Sequence, residues 1–211
     1  MRAIARLLPE SVHYAWVVAA VIFLTLLAAV GIRATPSVLI VPLEHTFGWS
    51  RGTISLAISI NIILYGLMGP FAAALMQQLG IRRTIIGALG LLALSIAGST
   101  FMTAPWQLVL SWGIAVGLAS GVTALVLGAT VVNRWFDRHR GLVMGVITAS
   151  TATGQLVFLP LLAAVAENAG WRPVVWIAAL VAAAMIPIVA LLVPERPSDI
   201  GLQPYGAASG S

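Results

Sequence analysis

The sequence predicts an all-α membrane protein with six transmembrane helices. Three observations carry that expectation. Of 211 residues, 60% are hydrophobic and 8% charged, with a mean hydropathy of +1.04, whereas a water-soluble domain carries about 25% charged residues. Six apolar stretches reach roughly the 20 residues that cross a bilayer. Of the eleven basic side chains, all arginine, eight fall in the termini and alternate joining segments of one side. With six acidic residues beside them, the charges are too few to coat a water-facing surface. That excludes an ordinary cytosolic enzyme and a disordered chain, and the absence of cysteine excludes a disulfide scaffold.

The stretches cover residues 14–40, 53–76, 84–102, 106–132, 141–166 and 173–193. The first follows a basic start but is longer than the roughly 7–15 apolar residues of a cleaved signal core, so it reads as a retained helix. Pro36, Pro70, Pro160 and Pro187 fall inside or near the ends of stretches, where each removes a helical hydrogen bond and permits a bend. The fourth stretch spaces Gly113, Gly117 and Gly121 by four, on one helical face where another backbone approaches closely. Gly141 and Gly145 repeat the spacing at the start of the fifth, and all of these read as helix packing. Tyr14, Trp16, Trp106, Trp171 and Trp176 lie near the stretch ends as aromatic anchors. The joining segments are short, and none holds a folded domain. Residues 1–13 read as a cytoplasmic amino-terminal segment, 14–193 as the transmembrane domain, and 194–211, with three prolines and a Gly/Ser-rich end, as the start of a cytoplasmic linker.

Orientation follows from arginine. With both ends in the cytoplasm, the inner segments carry Arg2, Arg6, Arg82, Arg83, Arg134, Arg138, Arg140 and Arg196, and the outer segments Arg51 and Arg172. Basic residues concentrate on the cytoplasmic side of inner-membrane proteins, so the expected site is the plasma (inner) membrane. The net charge of +5 then reports topology and contact with anionic lipid. Arginines scattered over separate loops do not suggest nucleic acid.

Arg33 is the one charge within a stretch. A charge at mid-bilayer costs roughly 2.5–3.5 kcal/mol on the insertion scale. It has two readings: a guanidinium facing a cavity, suited to gripping a carboxylate, or a side chain snorkelling to the outer interface. Asn61 and Tyr65, four apart, share a face of the second helix, as a polar pathway wall or an interhelical hydrogen-bonding pair. Thr148, Thr151 and Gln155 form one stripe on the fifth, where only Gln155 needs an external partner. No metal-ligand spacing, cofactor motif or nucleophile–histidine pairing points to an enzyme.

The loops carry a family resemblance. Leu75, Gly80, Arg82 and Arg83 fit the Gly-x-Leu-x-Asp-Arg-x-Gly-x-Arg-Arg pattern between the second and third helices of the major facilitator superfamily. Ala73, Gln77 and Gln78 depart from it, and with them goes the carboxylate of its charge latch. Residues 135–145, in which Phe136, Arg140 and Gly145 match, resemble the monocarboxylate transporter signature. Residues 14–16, 31–33, 47–51 and 196–206 are similar to bacterial members of that group, which includes oxalate/formate-type antiporters.

The resemblance implies half of a two-half fold, itself built from two inverted three-helix repeats, with substrate at the midplane and alternating access. It implies small organic anions such as monocarboxylates as substrates, often moved with a proton by symport or antiport. Arg33 is then the anion-binding residue, with Asn61, Tyr65 and Gln155 lining the cavity. Gly80, Arg82, Arg83, Arg138 and Arg140 stand in the inner gating loops. The partner is a second six-helix half, supplied separately or by a homodimer. The rival expectation is a six-span structural or interaction protein, or a truncated product, without transport.

Overall fold

A computed structural model describes residues 13–207. Arg2 and Arg6, counted above for orientation, lie outside the described residues. Six helices are long and apolar enough to cross a membrane: α1 Tyr14–Phe47, α2 Arg51–Gln78, α3 Ile81–Ser99, α4 Pro105–Trp135, α5 Arg140–Ala169 and α6 Trp171–Leu192.

The helix ends follow local chemistry. His13 caps α1, its Nδ1 accepting from the Ala15 N–H. α1 runs past Pro36 and Pro42 to Gly48, whose left-handed φ of 68° lets its N–H close back on Glu44 O. The first span is therefore 34 residues long, about 51 Å of helix, rather than ending near residue 40. Ser50 caps α2 by accepting from the Thr53 N–H. Gly80, at φ 90°, opens α3. The first two amides of α3 are capped from far along the chain: Ile81 N–H and Arg82 N–H donate to the two carboxylate oxygens of Glu195, at 2.6 and 3.0 Å. A carboxylate at a helix N-terminus is favourable to both charge and hydrogen bonding.

α4 departs from the single regular span expected. Residues Val109–Ala115 form a π-helical turn, so the Val116 N–H reaches Ser111 O and not Trp112 O. The helix breaks again at Thr123 and Ala124 before resuming as Leu125–Trp135. Thr123 Oγ1 donates to the Ala119 and Ser120 carbonyls, the kind of side-chain competition that loosens a helix.

The helices pack in matched pairs. α1 lies on α5, α2 on α4, and α3 on α6, with further contacts of α1 to α6 and α3 to α4. Exchanging the first three helices for the last three leaves this pattern unchanged. Three is odd, so the second triplet enters the bilayer from the opposite side, giving two inverted repeats. Burial repeats the symmetry: within the most apolar part of each helix, 61% of α1 and 56% of α4 is buried, but only 17% of α2 and 22% of α5.

Past α6 the chain turns back under the bundle. After a short turn at Pro197–Ile200, Tyr205 bridges to the α4–α5 connection: its N–H donates to Trp135 O at 2.8 Å, and its carbonyl accepts from Asp137 and Arg138. The Tyr205 ring packs against His13, Trp16, Phe136 and His139. The expected linker start is thus held, through residue 207, against the bundle's own end.

Candidate functional site

The exposed sides of α2 and α5 bracket the candidate site. Each of these helices buries one narrow stripe: Ile54, Ala57, Asn61, Ala72 and Met76 on α2, and Val143, Ile147, Ser150, Gly154, Leu162 and Ala166 on α5. Leu56, Ile63, Leu67 and Phe71 on α2, and Leu142, Val146, Leu156 and Leu161 on α5, are exposed.

Arg33 and Tyr65 come together across α1 and α2. The guanidinium carbon lies 4.3 Å from the centre of the Tyr65 ring, close enough for a cation–π contact. α1 continues fourteen residues beyond Arg33, about 21 Å, and Tyr65 sits at the middle of the 28-residue α2. Glu44, the nearest carboxylate that follows it in sequence, is taken by Arg51 at 2.9 Å. Among the described residues no carboxylate forms an ion pair with Arg33.

Asn61 lies one turn before Tyr65 but points into the α2–α4 crossing. It is buried, and its side-chain amide donates to Trp112 O at 2.7 Å. That is the carbonyl deprived of its helical donor by the π-turn. The Trp112 indole N–H in turn donates to Ser99 Oγ at 3.0 Å, so α2, α4 and α3 are linked through one tryptophan. Gln155 is exposed on α5 beside Gly154, whose missing Cβ faces Leu27 O and Val30 of α1. Thr148 and Thr151 satisfy themselves on the carbonyls of Met144 and Thr148.

The glycines divide. A Cβ on Gly113 would lie 3.2 Å from Ala57 O, one on Gly117 3.0 Å from Asn61 Cα, and one on Gly121 3.0 Å from Tyr65 O. Gly145 needs correction. It is exposed, and a Cβ there would meet nothing within 4 Å, because the buried stripe of α5 passes through Val143 and Ile147. Any packing role at Gly145 is therefore not to a helix of the described bundle.

The expected gating loops form a basic end to the bundle. Gly80 leaves room for Glu195, since a side chain there would run into its carboxylate. Arg82, Arg83, Arg134 and Arg196 surround a cavity of about 590 Å³ with Gln77 and Gln78, and Arg134 donates to Glu195 O at 3.2 Å. Arg140 folds its own connection, donating to Asp137 at 2.6 Å and to Phe136 O. His139 there adopts a left-handed φ of 63°, while Arg138 is exposed and uses its N–H on Tyr205. The Glu195 contact escaped the sequence reading; the one available signal was an acidic residue flanked by Pro194 and Arg196 just after the last span. Beside the basic end, burial holds the His13 imidazole below its usual pKa, opposed by a backbone hydrogen bond to Gln203.

Among the described residues no cluster of three or more His, Cys, Asp or Glu offers a metal site.

Comparison with known proteins places this geometry. The family model for the Major Facilitator Superfamily matches residues 21–208. The chain is 31% identical over 154 residues to the yeast Uncharacterized transporter ESBP6 (Saccharomyces cerevisiae), covering 72% of this chain and 23% of that protein. It is 28% identical over 193 residues to human Monocarboxylate transporter 14, covering 89% of this chain and 38% of the relative. The solved structure of the proton:xylose symporter XylE with 6-bromo-6-deoxy-D-glucose superposes with a TM-score of 0.76 at 17% identity. That match covers 87% of this chain and 46% of XylE, and it shows the fold alone. The chain spans less than half the length of each of these proteins.

Proposed function

The chain belongs to the major facilitator superfamily, a family of membrane transporters rather than enzymes, and on that premise we propose that it forms the amino-terminal half of a carrier for small organic anions, monocarboxylates in particular. A second six-helix unit supplies the opposite wall. The exposed apolar sides of α2 and α5 suit such a partner, and Gly141 and Gly145, open on α5, leave room for its close approach. The arginine-rich end of the bundle faces the cytoplasm of the plasma membrane.

The observation that carries the anion is Arg33 over the Tyr65 ring. A guanidinium with an aromatic face as its contact keeps its hydrogen-bond donors for an incoming carboxylate, which it binds through two parallel bonds. Binding draws the charge from the ring to the substrate, coupling occupancy to the α1–α2 spacing. Gln155, exposed on α5, offers a neutral polar group. Asn61 acts behind Tyr65, holding α2 to α4 so that the ring stays in place. Arg82, Arg83, Arg138 and Arg140 close the inner end.

The test is uptake of labelled lactate and oxalate into proteoliposomes holding this chain with a second six-helix half. Arg33→Ala should lower uptake at least tenfold, with Arg33→Lys retaining a measurable part and Tyr65→Phe most of it. Equal uptake by Arg33→Ala and the parent would remove Arg33 from the site. Absence of uptake by the parent with its partner present would remove the carrier reading.

A further inference from the structure

The basic cavity at the α2–α3 turn does not stand alone. It holds four arginines against one glutamate, Glu195, whose two carboxylate oxygens accept from the first amides of α3, so the arginines outnumber its charge. Among the described residues neither Arg82 nor Arg83 forms an ion pair. The cavity therefore presents concentrated positive charge to whatever enters it. A second hollow, of about 260 Å³, continues from it and shares Leu79 and Arg83. This one is an apolar groove between α2, α3 and α4, walled by Leu75, Gly87, Leu91, Leu118 and Val122 and reaching Met68. From Leu79 to Met68 is eleven residues of α2, about 16 Å at 1.5 Å per residue. That is close to half the ~30 Å thickness of the hydrocarbon core, the depth of one leaflet.

A basic head continuous with an apolar channel one leaflet deep is complementary to one kind of molecule. We propose that this paired cavity is a binding site for an anionic phospholipid. Its headgroup phosphate sits among Arg82, Arg83, Arg134 and Arg196, and one acyl chain lies along the α2–α3–α4 groove. Basic pockets between membrane helices bind such headgroups, and guanidinium forks match phosphate geometry. A soluble anion would fill the basin and leave the groove unused. The site is independent of the Arg33 proposal.

Delipidated full chain in detergent, titrated with phosphatidylglycerol or phosphatidylcholine and observed by native mass spectrometry, tests this, with inorganic phosphate titrated separately by thermal shift. One phosphatidylglycerol should be held per chain, at least tenfold more tightly than phosphatidylcholine. The Arg82→Gln/Arg83→Gln pair should lower that affinity tenfold or more. Gly87→Leu should do the same by filling the groove, since a side chain there starts in open space and the fold is expected to survive, as circular dichroism will report. Equal binding of the two lipids overturns the proposal. So does a Gly87→Leu protein that keeps its phosphatidylglycerol, which would take the groove out of the site, or inorganic phosphate that protects against heat as well as the lipid does, which would make the basin a soluble-anion site.

Discussion

The α2–α4 and α1–α5 crossings are counterparts in the two inverted repeats, yet they are closed differently. α4 meets α2 through three glycines that face backbone atoms of Ala57, Asn61 and Tyr65. Asn61 then ties the crossing by a hydrogen bond to the Trp112 carbonyl. In the other crossing Gly154 of α5 faces Leu27 O and the Val30 side chain, and Gly31 of α1 faces the Phe158 ring. The polar residue of that stripe, Ser150, donates only to Ile147 of its own helix. The first crossing is stitched at mid-depth; the second is packed there and tied at its end, where Tyr205 gathers His13, Trp16 and the α4–α5 connection. Symmetry of fold therefore does not imply symmetry of stiffness. The α1–α5 pair is expected to slide more easily.

Alanine at the glycines probes this most strongly. Gly117→Ala places a methyl against backbone that cannot yield, and should destabilise by about 3 kcal/mol, the upper range for overpacking. At Gly154 the nearest atoms are Leu27 O at 3.1 Å and Val30 Cβ and Cγ1 at 3.2 Å, one backbone atom where Gly117 meets two, so Gly154→Ala should cost less, about 2 kcal/mol. Gly145→Ala should be neutral or slightly stabilising, since alanine is the better helix former. Equilibrium unfolding in mixed micelles would rank the three, and equal losses at Gly117 and Gly154 would erase the distinction.

Next in size is the stitch. Asn61→Leu strands the Trp112 carbonyl without a donor, a loss of about 1–3 kcal/mol. Ser150→Ala should stay within about 0.5 kcal/mol. The same unfolding assay separates them, and amide exchange of the Val109–Ala115 turn should quicken in the Asn61 variant alone.

The smallest effect is at the end tie. Burial lowers the His13 pKa, so the unfolded chain takes up the proton first as pH falls. The contribution of His13 is complete above its ordinary pKa of about 6.5 and is lost as pH drops below that through the lowered folded value. Protonation at Nδ1 would also end its acceptance from the Ala15 N–H. Thermal midpoints at pH 7.5 and 5.0 should show a drop that His13→Asn, which still caps but does not titrate, makes shallower.

The six helices were legible because an apolar run of bilayer length has few alternatives in a chain so poor in charge. Their ends were less so. The first apolar stretch ends near residue 40, but inside a packed bundle a proline such as Pro42 only removes one hydrogen bond, and α1 runs on to Phe47. The close approach of α4 to α2 was readable from glycine spacing, whereas Gly145 shows that spacing alone does not say which side of a helix will find a neighbour. Tyr65 as the contact of Arg33, and Glu195 as the cap of α3, are side-chain meetings between elements distant in sequence. No periodicity encodes them. The missing acidic residue at Gln77 looked like a lost charge; a carboxylate does reach that end of the bundle, but from position 195.

The π-helical turn at Val109–Ala115 holds one residue more than an α-helix would use for the same rise. Deleting a single residue there would restore regular hydrogen bonding to α4, a local improvement. It would also rotate everything beyond it by about 100°, swinging Gly117 and Gly121 away from α2. Insertions and deletions of one residue in this turn should therefore be far less tolerated than substitutions, although the turn itself is the less regular helix.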